Sequence, residues 1–150
     1  MSRSGSESTW LTQQRAAWAS NKSSPKALVA KTALDGHWRG VMAVANALRQ
    51  DGFEVVMLGM ATAEQITTSA VQEDVDLIGL NIGGRIEVVE RILDALEEAH
   101  IEAPVLAGGT IPPQWRQRLE SRGVEVFPPG SPLGEITAAA RRLVGNRASK

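Results

Sequence analysis

Asp35 and His37 are separated by one glycine in the run Lys31-Thr32-Ala33-Leu34-Asp35-Gly36-His37-Trp38-Arg39-Gly40. At that spacing a carboxylate can accept a hydrogen bond from one imidazole nitrogen while the other nitrogen faces outward. A carboxylate behind a histidine fixes its tautomer and raises its basicity as a metal ligand. Lys31, four residues before Asp35, can in turn pair with that carboxylate. A lone loop histidine is usually a surface residue; the aspartate, and glycines that permit close backbone approach, make ligation the sharper reading here. A protein zinc site needs three or four ligands, and His100 is the sole other histidine. Cysteine is absent, which removes disulfides, thiolate zinc sites and cysteine nucleophiles together. A single imidazole suits a metal that arrives already held in a macrocycle. His100 ends a helical stretch, where an imidazolium meets the helix dipole favourably.

The elements that must position this loop alternate between strand and helix. Residues 27–30 are a short apolar run, as expected of a buried parallel strand. Residues 41–49 show helical spacing, with Val41, Val44, Ala45 and Leu48 on one face. A second strand over 53–58 is ended by Gly59, and Thr62 with Gln65 makes a capping-box pair that opens a helix to about Glu73. Residues 75–80 form a third strand, followed by Gly83-Gly84, and Ile86, Val89, Leu93 and Leu96 stripe the next helix. A fourth strand, 104–107, ends at Gly108-Gly109, and Pro112-Pro113 introduces a helix through Ser121. Residues 124–127 are a fifth strand, and Ser131-Pro132 starts a last helix ending near Gly145. The partition is therefore an arm over 1–25, a domain over 26–145 and a disordered tail over 146–150. Trp10, Leu11, Ala17 and Trp18 sit at the spacing of a short helix in the arm, which either touches the domain or docks on a partner.

Five successive strand–helix units imply an α/β, Rossmann-like fold: a doubly wound parallel sheet in the flavodoxin-like order 2-1-3-4-5. Ligands of such sheets bind beyond the carboxyl ends of the strands, at the switch point between strands 1 and 3. That rule points to residues 31–40 and 81–84, and next to Gly108-Gly109-Thr110.

Composition narrows the class further. Hydrophobic residues make up 43% and charged residues 22% of 150, with a net charge of −1, which argues for a soluble domain without nucleic-acid or membrane partners. No apolar run approaches the roughly 18 residues of a membrane span. The polar, serine-rich start lacks the apolar core of a signal peptide, so a cytoplasmic protein is expected. With four Trp, no Tyr and two Phe, the domain reads as a binding module rather than the holder of a large substrate.

Asp35-x-His37-x-x-Gly40 resembles the D-x-H-x-x-G motif of cobalamin-binding domains. The wider string Ala30-Lys31-x-x-Leu34-Asp35-Gly36-His37-x-Arg39-Gly40 resembles the cobalamin domain, or separate small subunit, of acyl-CoA mutases of the methylmalonyl-CoA mutase type. So do Gln72-Glu73-Asp74-Val75-Asp76-x-Ile78-Gly79-Leu80 and Gly108-Gly109-x-Ile111-Pro112-Pro113, and the resemblance spans about residues 26–143. It implies that His37 is the lower axial ligand to cobalt, with Asp35 and Lys31 as a hydrogen-bonded relay behind it. Gly40 would let the helix start approach the cofactor, and Gly108 and Gly109 would line a slot for the displaced nucleotide tail. Gly36, Arg39 and Thr110 complete the implied cofactor contacts. After strand 3 the family carries S-x-L, where this chain has Asn81-Ile82-Gly83. Asn81 keeps a hydrogen-bonding group, but the apolar wall at Gly83 is gone. Trp38 replaces a usual acidic residue and either covers the corrin edge, faces a partner or is a surface aromatic.

The resemblance implies the small subunit of a two-chain, adenosylcobalamin-dependent acyl-CoA mutase, inactive without a large barrel subunit that binds the substrate. A corrinoid carrier for methyl transfer shares the loop, but usually has a helical cap larger than the 25 residues before strand 1. A non-enzymatic cobalamin sensor or chaperone is the third reading. Receiver domains require an aspartate ending strand 3, where Asn81 stands. Flavodoxins require a hydroxyl-rich phosphate loop, where Ala33-Leu34-Asp35-Gly36 stands.

Overall fold

The computed structural model describes residues 24–32, 38–83 and 85–148. Its elements run β1 Lys26–Lys31, α1 Trp38–Gln50, β2 Glu54–Met60, α2 Ala63–Glu73, β3 Leu77–Gly83, α3 Ile86–Glu98, β4 Val105–Thr110, α4 Pro113–Ser121, β5 Glu125–Phe127 and α5 Leu133–Ala148. All four strand pairings are parallel, and the order is β2-β1-β3-β4-β5, the doubly wound order expected.

Strand alternation divides the core into two layers. Leu28 and Ala30 of β1, with Ile78, Leu80 and Ile82 of β3, pack on one side beneath α2, α3 and α4. The whole predicted stripe of α3, Ile86, Val89, Leu93 and Leu96, is buried there together with Ile92. Ala27 and Val29 of β1, Leu77 of β3 and Leu106 of β4 face the other side. That face is covered by only two helices, through Val41 and Leu48 of α1 and Ala139 and Ala140 of α5.

The expected capping box is present in full. Gln65 N donates to Thr62 Oγ1 at 3.1 Å, and Thr62 N donates to Gln65 Oε1 at 2.9 Å. Helix α2 ends on Asp74 in the left-handed conformation, φ 50°.

Several element ends differ from expectation, and most of them involve glycine. Strand β2 does not stop at Gly59: the register steps from Val29↔Met57 to Ala30↔Gly59, so Leu58 is an extra residue. Gly59, at φ 71°, supplies the left-handed residue of this bulge, and the strand continues to Met60. Strand β4 runs through Gly108-Gly109 to Thr110. Helix α5 passes Gly145, so Asn146 to Ala148 are helix rather than tail. Strand β3 starts at Leu77, because Asp76 turns its carboxylate to the foot of β1, where Lys26 N donates to Oδ2 at 2.9 Å. Helix α1 starts at Trp38, so Trp38, Arg39 and Gly40 belong to its first turn rather than to the preceding loop.

Candidate cofactor site

The carboxyl ends of β1, β3 and β4 come together at the switch point. Lys31 pairs with Asn81, Asn81 with Gly108, and Gly83 with Thr110. Five of the residues expected from sequence are thus laid side by side. Lys31 is buried at 6% exposure, an unusual position for a lysine. Alternation puts it on the two-helix face, following Ala27 and Val29.

The same rule sets the floor of the site. Leu80 and Ile82 point into the three-helix core, so Asn81 and Gly83 face the side of α1 and α5. Gly79 and Gly108 lie on that face too, next to Leu77 and Leu106. A central strand of a parallel sheet is normally covered on both faces. Here Gly79, Asn81 and Gly83, and Gly108 beside them, are all half-buried, so this end of the two-helix face is open. A Cβ at Gly108 would find only the Phe127 carbonyl oxygen at 3.8 Å, and one at Gly79 would find Val29 Cγ2 at the same distance. Among the described residues no side chain comes within 4 Å of a Cβ placed on Gly108.

Gly109 has a different role. Its φ is 114°, and a Cβ there would overlap the Ile82 carbonyl oxygen of β3. Glycine at this position is therefore a requirement of the strand pair, independent of any ligand. Gly40, in the first turn of α1, is exposed, and a Cβ on it would meet nothing within 4 Å. Thr110 is exposed at the end of β4.

Two residues with a part in the site were not singled out from the sequence. Thr32 is buried at 7% exposure and clamps the start of the loop onto β3. Its backbone N–H donates to the Asn81 carbonyl oxygen at 3.0 Å, and its hydroxyl donates to the same oxygen at 2.9 Å. Lys31 O accepts from Ala61 N at 3.1 Å, which ties the end of β1 to the residue that follows β2. Gly79 is the second; a glycine in mid-strand was its available signal.

Asp35, Gly36 and His37 lie outside the described residues, as do the arm residues 1–23 and the side chains of Trp38 and Arg39. The structure describes the frame that holds the loop: β1 and Thr32 before it, α1 after it. Among the described residues no group of three or more His, Cys, Asp or Glu could hold a metal ion. None of the described helices is long and apolar enough to cross a membrane. A cavity of about 400 Å³ lies between β2 and α2, lined by residues including Leu58, Met60, Glu64 and Thr68.

An open parallel sheet with a bare floor at its switch point defines a small ligand-binding domain of the doubly wound class. Residues 25–135 match the B12 binding domain family, and the chain belongs to that family. It is 36% identical over 130 residues to the 2-hydroxyisobutanoyl-CoA mutase small subunit of Aquincola tertiaricarbonis, covering 83% of this chain and 96% of that one. It is 34% identical over 122 residues to the pivalyl-CoA mutase small subunit of Xanthobacter autotrophicus, covering 79% and 82%. It also matches methylmalonyl-CoA mutase of Escherichia coli at 36% over 120 residues, 77% of this chain but only 17% of that much longer one. In fold, a cobalamin-binding protein from Desulfitobacterium hafniense superposes with a TM-score of 0.70 at 18% identity, over 81% of this chain and 60% of that one. The receiver domain of a Francisella response regulator superposes almost as well, TM-score 0.67 at 14% identity over 82% and 98%. Fold alone therefore does not separate these classes; the family match and the sequence identities do.

Proposed function

We propose that this chain is the cobalamin-binding small subunit of an adenosylcobalamin-dependent acyl-CoA mutase, with His37 as the lower axial ligand to cobalt. The observation that carries this reading is the alignment with a mutase small subunit over 96% of that subunit's length. The site fits the cofactor. Over Gly40 and Gly108 the protein leaves space that a Cβ would enter without meeting a side chain, and both glycines flank the switch point.

In this reading Asp35 and Lys31 form the relay behind the imidazole of His37, holding its proton on the nitrogen turned away from cobalt. Thr32 fixes the loop's starting point through Asn81. Gly36, Trp38, Arg39 and Gly40 frame the corrin. Asn81, Gly83, Gly108, Gly109 and Thr110 border the slot for the nucleotide tail. When bound, the cofactor supplies a weak cobalt–carbon bond as the source of radical chemistry. The acyl-CoA is bound by a large barrel subunit, so the chain is inactive alone and works in a cytoplasmic hetero-oligomer.

The test is an absorbance titration of the full chain with adenosylcobalamin, together with electron paramagnetic resonance of the cob(II)alamin complex. A histidine-ligated spectrum with nitrogen hyperfine splitting is expected, and His37→Ala removes it while leaving the melting temperature unchanged. No spectral change on binding, or the same change in His37→Ala, would sink the proposal. Reconstituted mutase activity with a barrel subunit then separates this role from methyl carriage or sensing.

A further inference from the structure

The floor of the slot carries two polar side chains, Lys31 at the end of β1 and Asn81 beside it on β3. Gly79, Gly83 and Gly108 have no side chain to offer, and the carboxamide of Asn81 faces the two-helix side at the centre of the sheet. Its backbone carbonyl is committed to Thr32. Among the described residues its side-chain amide has no hydrogen-bond partner, although half-buried. A ligand that closes over the floor takes this amide out of water, and an amide buried without partners is costly. An occupant that presents a donor and an acceptor side by side satisfies this amide best.

Resting on the cofactor reading above, we propose that the slot selects a cobamide whose lower base is a purine of the adenine type over one with 5,6-dimethylbenzimidazole. Benzimidazole offers a ring nitrogen to the Asn81 amino group, but its methylated edge leaves the amide oxygen without a donor. Adenine places an amino group beside a ring nitrogen, and asparagine pairs with that edge through two hydrogen bonds. The glycine at position 83 removes the side chain that would press on a flat apolar ring.

Three cobamides of the same corrin separate the outcomes: one with adenine as lower base, one with 5,6-dimethylbenzimidazole, and cobinamide, which lacks the tail. Affinities for the full chain are read by absorbance titration. The adenine form is expected to bind about tenfold more tightly than the benzimidazole form, the worth of one added paired hydrogen bond. Asn81→Ala reduces the preference to less than about twofold and leaves cobinamide affinity unchanged, with a thermal melt reporting its fold. Equal affinities, or tighter binding of the benzimidazole form by the unaltered chain, overturn the inference and leave cobalt ligation intact. If cobinamide and both complete cobamides fail to bind, the underlying cofactor reading falls with it.

Discussion

Replacing Gly109 with alanine drives a Cβ into the Ile82 carbonyl oxygen, with Ile82 N at 3.1 Å and its carbonyl carbon at 3.3 Å. All three atoms belong to the backbone of β3, so none can swing aside. The φ of 114° adds strain of about 1–3 kcal/mol for any residue with a Cβ. Shifting β3 away from β4 adds a similar amount, as overpacking does. A loss of about 3 kcal/mol is expected, which for a chain of this size lowers the melting temperature by about 10 °C. The adjacent Gly108→Ala should behave in the opposite way. Its Cβ has ordinary contact with Phe127 O at 3.8 Å, and alanine in a strand gains about 0.5–1 kcal/mol over glycine. Thermal melts and urea midpoints of both variants without cofactor measure this difference. Equal destabilisation of the two would refute the register argument for the floor. Gly108→Ala is further expected to weaken cobalamin binding despite its stability; undiminished affinity would remove Gly108 from the slot.

Thr32→Val deletes the 2.9 Å hydroxyl bond to Asn81 O but spares the backbone bond, at a cost of about 1 kcal/mol. A urea midpoint shows the loss, and cobalamin affinity should fall because the loop loses its clamp. Thr62→Ala breaks the capping box of α2 and costs about 1 kcal/mol without changing the cofactor spectrum. His100 is exposed and holds a φ of 57° just beyond α3, a conformation that suits glycine better. His100→Gly should stabilise the fold by about 1 kcal/mol and leave the histidine-ligated spectrum untouched. A lost spectrum there would make His100, not His37, the ligand.

Sheet order and helix faces were legible because the apolar periods of α1 and α3 and the short runs of β1 and β3 are local signals. The differences at Gly59, Gly109 and Gly145 share one cause: glycine reads as a stop along the sequence, and in this fold it is not one. In β2 it permits a bulge, in β4 it permits close approach to Ile82, and in α5 it is carried within a longer helix. The late start of β3 has another origin. Asp76 bonds to Lys26, 50 residues earlier, and a contact at that separation leaves no local pattern.

The proposed site is announced in the sequence by its motif and hidden at its floor. Asp35, His37 and Gly40 can be read along the chain, whereas the grouping of Lys31, Asn81 and Gly108 exists only once the strands are in register. A subtler signal was nevertheless present in β3. Ile78, Leu80 and Ile82 alternate with Gly79, Asn81 and Gly83, a two-faced pattern in a strand that ends at the centre of a parallel sheet. Central parallel strands are ordinarily apolar on both faces. Among the described residues this face has little packing value, since its glycines forgo burial and the Asn81 amide meets no partner there. Nothing among the described residues covers it, which fits a floor kept for a ligand. Alternation in a strand that should not alternate thus supports a ligand floor here, independently of His37.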